Sequence, residues 1–379
     1  MRVEQHNYIG NKGWNLVSNN GVGENANWVL VFGSRELLSD KSKYDELKAK
    51  FPNAHLLLGT TAGEIVDTQV IDDSIIATAV HFKHTQLKFA KTNINEEINS
   101  YQAGCKLAEA LTKKDLAHVF VLSDGQKVNG SELVAGLNAH IPAPIAITGG
   151  LAGDGTRFEK TLVGINGPPE EGNIVAIGFY GDRLKVGFGS VGGWDSFGPE
   201  RLITRAKGNV LYELDGQSAL DLYKKYLGDQ AAGLPATGLL FPLSIKIQEG
   251  SESLVRTILA VDEKEKSMTF AGDMPEGAYA CLMKANFDRL IDGAFAAANH
   301  SYEKIGSVSP DLAILISCIG RKIVLDQRIE EEVESVREVL GEKTALTGFY
   351  SYGEISPFAL SAKCELHNQT MTITTMSER

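Results

Sequence analysis

Cysteine is scarce and scattered in this chain. Four thiols stand at positions 105, 281, 318 and 364 of 379 residues, with no C-x-x-C pair among them. That spacing builds neither a zinc ribbon nor a covalent haem attachment of the C-x-x-C-H kind, and isolated thiols in a chain this long suit a reducing compartment. Long apolar runs are missing too. Nothing approaches the roughly 20 residues of a membrane helix, and the polar stretch Met1 to Trp14 lacks the apolar centre of a secretory leader. Basic runs with interleaved aromatics are absent, and the net charge of −11 weighs against broad binding to nucleic acid or anionic lipid. The expectation is a cytoplasmic protein without membrane insertion and without a nucleic-acid partner.

Familiar catalytic and metal signatures are also lacking. There is no P-loop, no Gly-x-Ser-x-Gly elbow, and no Gly-x-Gly-x-x-Gly in the strand-to-helix setting of a dinucleotide site. Of the eight histidines only His81 and His84 are close. Their odd spacing on a strand puts them on opposite faces, so they cannot share one ion.

What is present is ordinary globular material, 43% hydrophobic and 22% charged, in a length that suggests two to three domains. The 39 glycines gather at the ends of apolar runs, which favours tight turns over disorder. Three segments share one layout: an apolar run, a helical pattern, a second apolar run, and a glycine-rich turn bearing an acid. They run from Trp28 to Ile65, from Val119 to Gly155 and from Ala313 to Ile355. Gly59, Ala62, Gly63 and Glu64 align with Gly149, Ala152, Gly153 and Asp154; the third copy carries one extra residue before Gly353 and Glu354. These read as three β-turn-α-β units.

Helical periodicity supports the reading. Ile329, Val333, Val336 and Leu340 fall on one face, with Glu330, Glu331 and Glu332 at the end where carboxylates complement the helix dipole. Further helices are expected over about 96–111, with Ile98, Tyr101, Cys105 and Ala108 as the stripe, over 218–227, and over 280–299. Hairpin-like apolar runs elsewhere imply sheets that are not purely parallel. The predicted fold is α/β: mixed sheets with helices on their faces, built from the repeated units, in two domains. The break at 228–236 sets their limits at 1–228 and 229–379.

Candidate site residues come chiefly from the third unit. Phe349, Tyr350 and Tyr352 crowd one turn at strand carboxyl ends, where α/β sheets commonly bind ligands, although the same crowding suits a core plug. Asp154, Glu354 and Arg321 are placed to select charged ligand groups. Cys318, ending a strand near Arg321, is a candidate nucleophile, but no base is legible beside it. The enzyme reading rests on that thiol alone and is the weaker alternative.

Gly149-Gly-Leu-Ala-Gly-Asp154, Gly193-Trp-Asp-Ser-Phe-Gly-Pro199, Thr204-Arg-Ala-Lys-Gly-Asn209 and Glu213-Leu-Asp-Gly216 together resemble the N-terminal FIST domain (F-box and intracellular signal transduction). Gly272-Asp-Met-Pro-Glu-Gly277, Ser317-Cys-Ile-Gly-Arg321 and Gly348-Phe-Tyr-Ser-Tyr-Gly-Glu-Ile355 resemble its C-terminal partner domain. The resemblance spans about residues 25–360. It implies a sensory protein for a small ligand, amino acids having been proposed, that acts through a separate signalling partner such as a histidine kinase; self-association is left open. Free-standing bacterial chains of this layout are similar to a subgroup that binds haem b and senses nitric oxide. For such a cofactor His367 is the first candidate axial ligand, beside His300, His81, Cys318 and Tyr352. From the residues themselves, Asp154, Cys318, Arg321, Tyr350, Tyr352 and Glu354 are expected to form the ligand site.

Overall fold

The computed structural model describes residues 1–247, 253–357 and 363–379. All three expected units are there. Each contains a parallel pair: Trp28–Gly33 with His55–Thr60, Leu116–Ser123 with Ala146–Leu151, and Leu312–Cys318 with Ala345–Ser351. A parallel pair needs a crossover, and in each unit helix lies between the two strands. The strands read as continuous apolar runs because both faces are covered.

Each unit forms a six-stranded mixed sheet whose outermost strands beyond the second parallel strand come from another unit. Glu64–Val66, following the first unit, pairs with Ala345–Ser351 of the third. Gly353–Pro357, following the third, pairs with Ala146–Leu151 of the second. Val163–Ile165, following the second, pairs with His55–Thr60 of the first. The exchange therefore closes on itself around a pseudo-threefold axis.

Three backbone hydrogen bonds close the same ring at its tightest point. Ala62 N–H donates to Tyr350 O (2.8 Å), Tyr352 N–H to Leu151 O (3.2 Å) and Gly153 N–H to Thr60 O (2.9 Å). Ala62, Gly153 and Tyr352 are thus the equivalent positions. The alignment read from sequence, which matched Ala62 with Ala152, is one residue out. Strand register agrees: Glu64 stands opposite Phe349 and Glu354 opposite Gly150, whereas Asp154 belongs to a longer loop before Val163.

A nine-stranded sheet, Asp195–Ser196 through Tyr279–Lys284, is inserted into the third unit and has its own apolar core around Leu211, Tyr223, Met268 and Phe270. The break at 228–236, expected to divide the chain, lies inside this insert, because the third unit is completed by strand Leu184–Val191 before the insert and by helix Phe287–Lys304 after it. Two expected helix positions change. Residues 280–284 are strand, and the helix starts after the Asn286 cap. Helix Ser100–Leu111 starts at its Asn99 cap, so Ile98 lies outside it and is 91% exposed. Its buried face includes Gly104, which meets Gly136 of helix Gly130–His140; a Cβ on Gly104 would come 2.3 Å from Leu133 O. The stripe 105–108 fits, but close approach of two glycines, not a large side chain, sets the contact.

The ring predicts a steric sensitivity. A Cβ on Gly153 would lie 2.8 Å from Ala62 N and 3.1 Å from Ala62 Cβ, while one on Gly167 meets nothing within 4 Å. Gly153→Val should cost about 1–3 kcal/mol, as overpacking does, and Gly167→Ala should stay within about 0.5 kcal/mol. Urea unfolding of the two variants checks this.

Candidate functional site

A cleft of about 860 Å³ lies between the threefold body and the inserted sheet. The body's wall is the loop Gly125–Gly130, with Leu151, Thr156, Phe158, Ile323 and Tyr352; the insert supplies Asn209, residues 233–236, Leu239, Ile258, Leu259 and residues 270–272. The loop leaves the carboxyl end of strand Leu116–Ser123 and enters helix Gly130–His140, so the cleft occupies the position where open α/β sheets commonly take ligands. It opens over the second unit, whereas the sequence pointed to the third.

The loop is held by its own backbone and side chains. Buried Asp124 accepts from Gln126 N–H (2.8 Å), Lys127 N–H (2.7 Å) and Gly172 N–H (2.8 Å). Asn129 caps the helix by accepting from Ser131 and Glu132 N–H, and its amide donates to Asp273 Oδ1 (3.2 Å), linking body to insert. Tyr352 crosses from the third unit because it follows the ring position. Its hydroxyl donates to Gly155 O (3.1 Å) and accepts from Phe158 N–H (3.2 Å), and its ring stacks on Phe158 with centroids 4.7 Å apart. Burial and the neighbouring Asp154 push its phenol pKa up.

Of the six residues expected to form the ligand site, Tyr352 lines the cleft. Asp154 lies just behind the wall, fully buried and paired with Arg35 (3.0 Å) and Arg157 (2.6 Å). Tyr350, Arg321, Cys318 and Glu354 gather inside the third unit instead. Tyr350 donates to Glu332 Oε1 (2.7 Å). Arg321 is completely buried; it pairs with Glu332 Oε2 (3.0 and 2.8 Å), donates to Leu290 O (2.7 Å) and also donates to Gly192 O. Gly192 and Leu290 flank the two points where the chain leaves for the inserted sheet and returns, so Arg321 clamps both crossings. The Cys318 thiol is buried, and burial followed by the nearby Glu354 drives its pKa upward, away from thiolate character.

Glu64 and Glu354 are true counterparts. Ser351 Oγ donates to Glu354 Oε1 (2.6 Å) and Thr370 N–H and Oγ1 to Oε2 (3.2 and 3.0 Å); Glu64 accepts in the same manner from Thr61 and from Ser74 N–H and Oγ. Burial outweighs these donors and lifts the two carboxyls from the ordinary 4.5 to about 7 for Glu64 and about 8 for Glu354.

His367 is buried in strand Cys364–His367, and its Nε2 is hydrogen-bonded to Ser356 O (2.8 Å). Burial lowers its pKa to about 4. An axial ligand needs an open coordination face beside an apolar slot, and His367 is not part of the cleft wall. The residues present do not fit a haem there. Among the described residues no cluster of three His, Cys, Asp or Glu side chains could hold a metal ion, and no helix is long and apolar enough to cross a membrane.

The sequence reading missed the loop Gln126–Gly130, Thr156 and Phe158, and the insert's contribution. A signal was available in Asp124-Gly125 and Asn129-Gly130 directly after an apolar strand, the chemistry of a turn followed by a helix cap.

Two outcomes test these arrangements. Each raised carboxyl is held protonated more tightly in the folded chain, so its stabilising contribution is complete below about pH 4.5 and is lost as pH rises through 7 to 8. Glu64→Gln and Glu354→Gln should each flatten the fall of melting temperature over that window, read by thermal unfolding across pH. Glu332→Gln strands the Arg321 charge and should cost about 3–5 kcal/mol, most of it recovered in Glu332→Gln/Arg321→Met; chemical denaturation measures both.

The FIST N domain matches this chain over residues 27–217 and the FIST C domain over residues 219–357. An uncharacterized protein of Methanocaldococcus jannaschii is 22% identical over 366 residues, covering 86% of this chain and 69% of that protein. A cyanuric acid hydrolase from A. caulinodans aligns over 100% of this chain and 99% of its own at 10% identity, with a TM-score of 0.35, a likeness that carries no argument about chemistry.

Proposed function

Since the chain belongs to the FIST family, whose domains are associated with small-ligand sensing in signal transduction, we propose that it is a sensory protein whose receptor site is the cleft between the threefold body and the inserted sheet. The observation that carries this reading is the cleft itself. Its size falls in the range of small-molecule sites, its walls are mostly apolar with Tyr352, Phe158 and Phe270 among them, and a few amides and hydroxyls are spaced around the rim.

The route from cleft to output follows from the clamp. Ile323 lines the cleft and sits on the short helix Ile319–Leu325, which also carries Arg321. Pressure on that helix reaches both crossings through the Arg321 contacts to Gly192 and Leu290. Closure of the inserted sheet on the body changes a surface that a separate signalling protein reads, a histidine kinase being the partner class that suits this role. The ligand in this reading is a small organic molecule; the buried and engaged His367 gives haem b no support. The enzyme alternative is disfavoured because Cys318 is buried inside the third unit with its thiol pKa raised.

Leu259 is 46% exposed and lines the cleft, so a larger side chain there fills space without touching either core. Leu259→Trp should leave the melting temperature within about 2 °C of wild type, as exposed substitutions do. It should abolish the stabilisation that a hit from a metabolite library confers on wild type. Stabilisation that survives in Leu259→Trp places the ligand elsewhere and defeats the proposal.

A further inference from the structure

A second concavity, of about 340 Å³, lies away from the cleft, and its wall is basic. The lining includes Lys88, Lys113, Lys114, His84, Asp115 and Tyr180. Residues 113–115 form the turn that enters strand Leu116–Ser123 at its amino end, whereas the cleft opens at that strand's carboxyl end. The eight residues of the strand hold the two places roughly 25 Å apart, at about 3.3 Å per residue.

Three lysines against one carboxylate stand out in a chain whose net charge is −11. Among the described residues none of the three makes an ion pair; the Lys88 ammonium donates to a backbone carbonyl, that of Ala110. Nearby acids are engaged elsewhere. Glu378 accepts from the N–H groups of Lys83, His84 and Thr85 (2.6, 2.8 and 2.6 Å), and Glu109 lies 3.6 Å from His140 Nε2. Lysines do gather at helix ends to complement free carbonyls, and helix Ser100–Leu111 ends beside this pocket. Its last turn is already served, however. Ala108 O accepts from Thr112 N–H and Oγ1 (2.8 Å each), Ala110 O from Lys88, and Leu111 O from the Tyr180 hydroxyl (2.5 Å). Lys113 and Lys114 are left over, exposed in the pocket wall with no acceptor for either ammonium among the described residues. Desolvation and then the neighbouring Lys113 push the Lys88 pKa down, as crowded like charges do. Cations gathered in a depression concentrate anions, and a multiply charged ligand relieves their repulsion.

We infer that this pocket binds a small phosphate-bearing ligand, a phosphomonoester or a diphosphate, through Lys88, Lys113 and Lys114. Phosphate suits it because one group carries close to two negative charges at neutral pH and offers several oxygens to ammonium donors. The volume is at the small end for ligand sites, which favours a compact soluble molecule over an extended polyanion.

Calorimetry on the full chain at constant ionic strength, with pyrophosphate as the probe, tests the site. Wild type should bind it, and Lys113→Ala/Lys114→Ala should weaken binding at least about tenfold, or about 1.4 kcal/mol. Both lysines are exposed, so the double variant should melt within about 2 °C of wild type. Leu259→Trp alters only the distant cleft and should bind pyrophosphate as wild type does, which separates this site from the sensor reading. Absence of binding to wild type, equal affinity in the double variant, or loss of binding in Leu259→Trp overturns the inference. Phosphatidylcholine vesicles with and without phosphatidic acid identify the source of the phosphate. Wild type should stay in the supernatant with both. Sedimentation with phosphatidic acid that the double variant loses would assign the pocket to a lipid headgroup and overturn the soluble ligand.

Discussion

Three N–H groups, those of Ala62, Gly153 and Tyr352, each reach the end of a strand in a neighbouring unit, and the body is built around that ring. The geometry leaves little room. Gly153 touches Ala62, and Gly149 and Gly348 press so closely on the strands beside them that a Cβ would fall 1.9 Å from a carbonyl oxygen. Because each unit also gives its next strand to a neighbour's sheet, no unit can complete its sheet alone. The turns that a sequence reading treats as ends of separate motifs are the points where the three units are joined.

Symmetry at the ring is broken at one position, and the cleft forms beside it. Ala62 and Gly153 are small, but the third equivalent is Tyr352, whose ring extends away from the axis, stacks on Phe158 and forms part of the cleft wall. The insert breaks the symmetry a second time. It enters the third unit after Gly192 and returns before Leu290, and the wholly buried Arg321–Glu332 pair holds both passages. Buried ion pairs are seldom retained for stability alone. This one joins the attachment of the inserted sheet to the helix that carries Ile323 into the cleft, which gives a physical reason for a charge in that place.

Much of this arrangement was legible in the chain. Three apolar-helix-apolar units with terminal glycines showed as a repeat because strands buried on both faces must be written as continuous apolar runs. Tyr352 was singled out by its place after a strand, and it does line the cleft. The other five candidates do not, for one reason: a small polar or charged residue at a strand end looks the same whether it faces a ligand or a buried partner. Arg321 meets Glu332 and Asp154 meets Arg35 across separations that no local pattern encodes. Residues 195–284 were harder still. Their strands carry ordinary alternation, and nothing local reveals that the chain returns afterwards to finish a sheet begun at Leu184. The cleft wall from Asn209 to Gly272 was therefore invisible as a site.

The receptor role of the cleft is tested most directly by a crystal structure grown with a small molecule that stabilises the protein. The account predicts density for that molecule between Tyr352 and Phe270, in contact with the Gly125–Gly130 loop. Density seated on any other surface, with only water between those two rings, would contradict it.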